Sequence, residues 1–196
     1  MKNLVILAHP RTDSFAAAVA ERAVRELKAR GQHAELIDLY RDGFDPRMSA
    51  GEHRDYGDPP SLSDDLAGLA ASLQKAEGLI FVFPTWWSGP PAILKGFFDR
   101  LFIPGVAFDV DSATSRMAGR LKALRKILVI TTTGAPSWTI RLWLGNPVEK
   151  LFRSGIFAAC APKAKISVMM LHDMDASTPA KRNAFMDRIG RKLAKW

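Results

Sequence analysis

Leu4-Val5-Ile6-Leu7-Ala8, followed at once by His9-Pro10-Arg11-Thr12-Asp13-Ser14-Phe15, is the stretch that decides the fold. The first part is an unbroken apolar run with β-branched residues, the pattern of a strand buried on both faces. The period then changes. Phe15, Val19, Ala23 and Leu27 recur four apart, while Glu21, Arg22, Arg25, Glu26 and Lys28 fill the other side. That spacing predicts an amphipathic helix, with Ser14 near its start and Gly31 just past its end. A second strand follows over 34–39, so the chain opens as a strand-helix-strand unit.

The same alternation continues outward. Ser63 with Asp64 and Asp65 opens another helix, where acidic groups suit the positive end of the dipole, and Leu66, Leu69 and Leu73 supply its buried face. Leu79-Ile80-Phe81-Val82-Phe83 is a third buried strand. Pro90 or Pro91 suits the first turn of the next helix, whose Ile93, Leu94, Phe97, Phe98 and Leu101 point inward. Strands are predicted at 127–130 and 166–171, with a helix over 140–152 between them. Thr178-Pro179 starts a last helix with Phe185, Ile189 and Leu193 on one side. Residues 40–61 hold several glycines and prolines and read as a long irregular loop, a feature more often functional than idle. Strands alternating with helices predict an α/β, three-layer sandwich with a five-stranded parallel sheet covered by helices on both faces, and right-handed crossovers leave few topologies. With no repeat or linker in sight, residues 1–196 read as one domain.

Composition narrows the function. The chain has 196 residues, one cysteine (Cys160) and a formal net charge of +8. A disulfide framework is excluded. The opening apolar run stops at His9-Pro10-Arg11, too soon for a signal peptide, and no stretch suits a membrane span. A soluble, cytoplasmic protein without membrane insertion is expected. The basic residues are scattered and no nucleic-acid motif accompanies them, so no nucleic-acid partner is expected. Solvated helix faces, with some attraction for phosphate-bearing ligands, account for the charge.

Parallel sheets bind ligands beyond the carboxyl ends of their strands, where strand order reverses. Three segments occupy that edge. His9, Arg11, Ser14 and Phe15 lead into a helix N-terminus, with free amides, hydroxyls and a cation suited to phosphate; the same residues also suit an ordinary capped turn. Pro84, Thr85, Trp86 and Trp87 can wall a flat pocket, or serve core or interface packing. Thr132, Thr133 and Gly134 combine hydroxyls with a permissive backbone, and also suit a plain turn. No Gly-x-Gly-x-x-Gly, Walker or Gly-x-Ser-x-Gly sequence is present. His9, His33, His53 and His172 form no metal-ligand pair, so no metal site is expected. Cys160 reads as a buried small residue rather than a nucleophile.

Leu7-Ala8-His9-Pro10 with Ser14-Phe15, Phe83-Pro84-Thr85-Trp86-Trp87, and the run from Pro91 through Ile93-Leu94-Lys95-Gly96 to Arg100 closely resemble the NAD(P)H:quinone oxidoreductase family. The resemblance implies a flavodoxin-like fold, its five-stranded parallel sheet in the order 2-1-3-4-5, and a homodimer. It implies a bound flavin, FAD or alternatively FMN, with NADPH or NADH as hydride donor and a quinone-like small molecule as acceptor. His9, Ser14 and Phe15 would lie along the flavin's phosphate arm. Pro84, Thr85, Trp86 and Trp87 would bracket its ring, with Thr132, Thr133 and Gly134 on the pyrimidine side. Two further readings accompany this one: a redox-sensing regulatory subunit of a membrane transporter, and a flavin electron carrier with no substrate of its own. One departure stands out. Mammalian members carry a Tyr and a His shortly after the Thr-Gly turn; here the stretch reads Ala135-Pro136-Ser137-Trp138-Thr139-Ile140-Arg141.

Overall fold

The structure is a computed structural model and describes residues 1–56, 62 and 64–196. Seven strands are present among the described residues: β1 (Lys2–Leu7), β2 (His33–Asp38), β3 (Gly78–Pro84), β4 (Phe108–Val110), β5 (Met117–Gly119), β6 (Lys126–Thr132) and β7 (Lys165–Leu171). The main sheet is parallel, in the order β2-β1-β3-β6-β7. Numbered within the sheet, this is the expected 2-1-3-4-5. β4 and β5 form a separate antiparallel pair that the sequence reading did not contain. Each is only three residues long, too short for a period-2 pattern to register.

The helices are α1 (Phe15–Lys28), α2 (Ala50–Arg54), α3 (Asp64–Lys75), α4 (Ala92–Leu101), α5 (Pro147–Lys150), α6 (Ala158–Cys160) and α7 (Pro179–Leu193). Ser14 caps α1 by accepting from the Ala17 amide at 3.1 Å, and Thr178 caps α7 by accepting from Lys181. Gly31 turns the chain after α1 at φ +69°. The expected helix over 140–152 is split. A π-helical turn, Thr139–Trp143, ends where Gly145 and Asn146 both take positive φ. Pro147 then starts a second helical run that continues through a π-helical stretch, Leu151–Phe157, to Cys160. Hydrophobic spacing alone does not register two left-handed residues.

Strand alternation sorts the core into two unlike layers. Leu79, Phe81 and Phe83 of β3 face one side, where Phe97, Phe98, Phe102, Phe152 and Phe157 pack around them. Phe81 lies 5.3 to 6.0 Å, centroid to centroid, from Phe98, Phe152 and Phe157. Ile80 and Val82 face the other side, against the small residues Ala16, Ala20 and Ala23 of α1 and Phe185, Ile189 and Leu193 of α7. Truncating the fully buried Phe81 to Ala is worth about 3–5 kcal/mol.

The segment after β2 is better ordered than a loop reading implies. Ser49 and Glu52 form a reciprocal capping box on α2. The buried Arg100 guanidinium of α4 donates to Glu52 Oε1 and to the Asp45 carbonyl, 2.6 Å away. Gly96 of α4 allows Pro46 to press against the helix, since a Cβ there would collide with the Pro46 backbone. Within the expected loop, residues 57–61 lie outside the described ones, as does the predicted helix start at Ser63.

Candidate functional site

Strand order reverses between β1 and β3, and a cleft of about 390 Å³ opens at the carboxyl edge there. His9, Phe15 and Ala16 line it from the first segment; Pro84, Thr85 and Trp86 from the second; Thr132, Thr133 and Gly134 from the third. The three segments therefore converge on one cavity. Arg11, Ser14 and Trp87 stand outside its lining. Ser14 caps α1. The Arg11 guanidinium is bound to its neighbour Asp13 at 2.8 and 2.9 Å. Trp87 is fully exposed at the rim.

The end of α1 is prepared for an anion. Its first turn holds no acidic residue. The Phe15 and Ala16 amides have no hydrogen-bond partner among the described residues, as the first turn of any helix leaves them. His9 sits beside them. Its Nδ1 lies 3.0 Å from the Arg11 amide, from which it can accept, and 3.2 Å from the Arg11 carbonyl, to which it can donate, so the Arg11 backbone holds the ring in either tautomer. Partial burial lowers the His9 pKa from the ordinary histidine value, outweighing its hydrogen bond to Arg11. Burial thus favours the neutral ring.

The threonines divide their labour. Thr85 and Thr131 share a hydroxyl contact of 2.8 Å, and the Thr85 amide donates to the Thr132 carbonyl at 2.7 Å. The Thr133 hydroxyl accepts from the Ala135 amide at 3.2 Å. Those three hydroxyls hold the loops in place. The Thr132 hydroxyl makes no hydrogen bond among the described residues, and the Thr133 hydroxyl, which accepts, keeps its O–H, so both can serve a ligand in the cleft.

Trp86 and Gly89 exchange two backbone hydrogen bonds of 3.0 Å, closing a two-residue hairpin. Its central residues, Trp87 and Ser88, have φ of +47° and +64°. This is type I′ geometry, which favours Asn and Gly. A tryptophan there is strained, and the strain projects its indole into the open.

A fourth segment went unread in the sequence. Met174 and Asp175, beyond β7, also line the cleft. The Met174 amide donates to the Thr133 carbonyl at 3.0 Å and the Thr133 amide to the Leu171 carbonyl at 2.9 Å, which laces the two loops together. Gly134 lies so close to Asp175 that a Cβ would sit 2.6 Å from Oδ2. His172, just past β7, has a buried Nδ1 with no hydrogen-bond partner among the described residues, and burial lowers its pKa, with Arg141 adding to the effect. A lone Asp or His in a polar turn carries no spacing signal, which is why neither stood out. Cys160 is buried and burial pushes its thiol up to about 11, in keeping with an inert packing residue. His33 and His53 are exposed. No group of acidic, histidine or cysteine side chains suited to a metal occurs among the described residues.

A bare amide pair at a helix start, a neutral imidazole N–H, an aromatic wall and a close-approach glycine suit a phosphate attached to a flat heterocycle. The residues present therefore fit a flavin. The chain matches the Flavodoxin_2 family, of flavodoxin-like fold, over residues 1–191, and it belongs to that family. Within it, the chain is similar to the NAD(P)H dehydrogenase [quinone] 1 of Rattus norvegicus, 36% identical over 150 residues that cover 68% of this chain and 54% of the relative. It is 33% identical to the ribosyldihydronicotinamide dehydrogenase [quinone] of Pongo abelii over 149 residues, 68% of this chain and 64% of that one. The chain thus spans between half and two thirds of the length of these relatives. Among solved structures, Smu.1420 of Streptococcus mutans UA159 matches with a TM-score of 0.87 and 26% identity over 100% of both chains. The resemblance read from the residues is borne out. No helix among the described residues is long and apolar enough to cross a membrane.

Proposed function

We propose that this chain is a flavin-dependent NAD(P)H:quinone oxidoreductase. The observation that carries the reading is the convergence of three loops on a single cleft at the β1/β3 switch point, beside an α1 N-terminus with unpaired amides. The similarity to quinone dehydrogenases supports it. A bound flavin would supply two-electron chemistry, accepting hydride from a nicotinamide nucleotide and passing it to a quinone-like acceptor at the same face.

The chain's own residues would bind and orient. The Phe15 and Ala16 amides and the His9 ring would hold phosphate. Pro84, Thr85 and Trp86 would support the ring, with Trp87 at the open rim. The Thr132 hydroxyl and the Gly134 backbone would meet its polar edge. The mammalian Tyr and His have no counterpart in the 135–141 loop. Backbone amides and Thr132 would stabilise developing charge instead, as preorganised dipoles.

For the flavin we favour FAD, with FMN as the alternative, because the described part of the segment after β2, residues 40–56, is long enough to cover an adenine. NADPH is favoured over NADH by the net charge of +8. A homodimer is supported by the apolar side chains exposed around the 138–144 turn: Trp138, Leu142 and Trp143 are 61%, 82% and 78% exposed. A single domain and a cytoplasmic location complete the reading. The deciding experiment is purification followed by a visible spectrum, mass identification of the released flavin, and steady-state NADPH oxidation with a quinone. Yellow protein with parallel double-reciprocal lines is expected. Colourless protein that takes up neither FAD nor FMN overturns the proposal.

A further inference from the structure

Away from the cleft, β7 forms one edge of the sheet, and a broad groove runs along it. The groove floor is Ile166, Ser167, Val168 and Met169. Arg188, Arg191, Lys192 and Lys195 stand along one wall, at the 3- and 4-residue steps that share a helix face, and Arg153 faces them from the other wall with Glu149. Arg153 pairs with Glu149 at 3.0 Å. The four cations of the opposite wall make no ion pair with any described residue.

The backbone of the floor is equally open. In a parallel ladder, alternate residues turn both main-chain groups to the same neighbour. The Lys165 amide and Leu171 carbonyl bond towards the β6 side, so the main-chain groups of Ile166, Val168 and Met170 point off the sheet. Only the Ile166 carbonyl has a partner, the Arg153 guanidinium at 3.3 Å. Val168 on the groove floor, beside the row of unpaired cations, and Met170, the next outward residue along the same edge, present amides and carbonyls with no partner among the described residues.

We propose that this edge docks an acidic segment of a partner protein as an added strand, its main chain pairing with Val168 and Met170 and its carboxylates meeting Arg188, Arg191, Lys192 and Lys195. Charge complementarity selects the occupant. A second copy of this chain would bring the same positive edge and be repelled, which is how basic residues protect sheet edges. A polynucleotide would satisfy the cations and leave the strand amides unpaired. An acidic polypeptide satisfies both. The proposal is independent of the flavin chemistry, because the groove shares no lining residue with the cleft.

The probe is a fluorescent peptide of alternating glutamate and valine, titrated into the full chain by anisotropy. Lysine-valine peptide, oligo-dT and phosphatidylglycerol vesicles are the comparison arms. Binding of the acidic peptide alone is expected, together with slowed hydrogen exchange at the Val168 and Met170 amides. Lys192→Glu/Lys195→Glu should weaken it by about tenfold or more. Val168→Pro should weaken it similarly, because proline removes an outward amide and leaves the β6 ladder intact. NADPH oxidation should be unchanged in both variants. Equal or tighter binding of oligo-dT or vesicles, or peptide binding without protection of Val168 and Met170, overturns strand addition. So does a failure of the acidic peptide to bind.

Discussion

The two ends of the main sheet are built on opposite principles. At the amino edge, Asn3 is fully buried and fully satisfied. Its amide nitrogen donates to the Gln32 side chain and the His33 carbonyl at 3.0 Å, and its oxygen accepts from Trp196 Nε1 at 2.8 Å. Gly78 leaves room for this lock, since a Cβ there would strike both Asn3 and Trp196. At the carboxyl edge, Trp87, Ser88 and Asp173 are held at positive φ, His172 keeps a buried nitrogen without a partner among the described residues, and Trp86 and Trp87 stand open. One end closes the fold. The other keeps strain and unpaired groups where a ligand is to sit, the distribution expected when stability is given up locally for binding.

The strongest way to break the contrast is Asn3→Ala. It should lower the free energy of unfolding by about 2–3 kcal/mol, because the Trp196 N–H and its neighbours lose their buried partner. Urea denaturation measures this, and flavin affinity of the folded variant should stay unchanged. Gly134→Ala inverts the pattern. Its methyl displaces Asp175 into the cleft, so flavin affinity should fall by about tenfold, near 1.4 kcal/mol, with little change in the urea midpoint. Trp87→Gly should raise stability by about 0.5–1 kcal/mol by relieving the left-handed turn, while turnover with a quinone drops. A loss of stability there would mean that the turn is not strained.

The smallest effect concerns pH. Burial lowers the pKa of both His9 and His172, so the unfolded chain takes up protons more readily than the folded one. Their contribution to stability is full above an ordinary histidine pKa of about 6.5 and is lost as pH falls through the lower folded values. The urea midpoint should therefore decline from pH 7.5 towards pH 5. His172→Gln should flatten that limb, and an unchanged limb would show that His172 titrates as an exposed residue.

Much of the fold was legible because its signals are local. The four-residue spacing of Phe15, Val19, Ala23 and Leu27, the Ser14 and Thr178 caps, and the apolar runs of β1, β3 and β6 each follow from neighbouring residues; their alternation leaves few sheet orders, and the family resemblance chose among them. The helix over 140–152 was misread because the break depends on two left-handed residues, Gly145 and Asn146, whose φ is set by the packing around them. In the site, Pro84, Thr85, Trp86, Thr132, Thr133 and Gly134 were found together because strand ends announce them. Asp175 and Met174 reach the same cleft only through the cross-strand bonds of Thr133.

The amino-acid sequence by itself determined the alternation of strands and helices, the edge at which chemistry gathers, and which loops meet there. Tertiary structure alone decided which hydroxyls are free, that the Arg11 backbone holds the His9 ring, that Arg11 is paired with Asp13, and that a positive groove lies along an unpaired edge. The reason is range. Periodicity and capping act within one or two turns of chain, whereas a hydroxyl's partner, an imidazole's burial and an edge strand's exposure are set by residues far away in sequence.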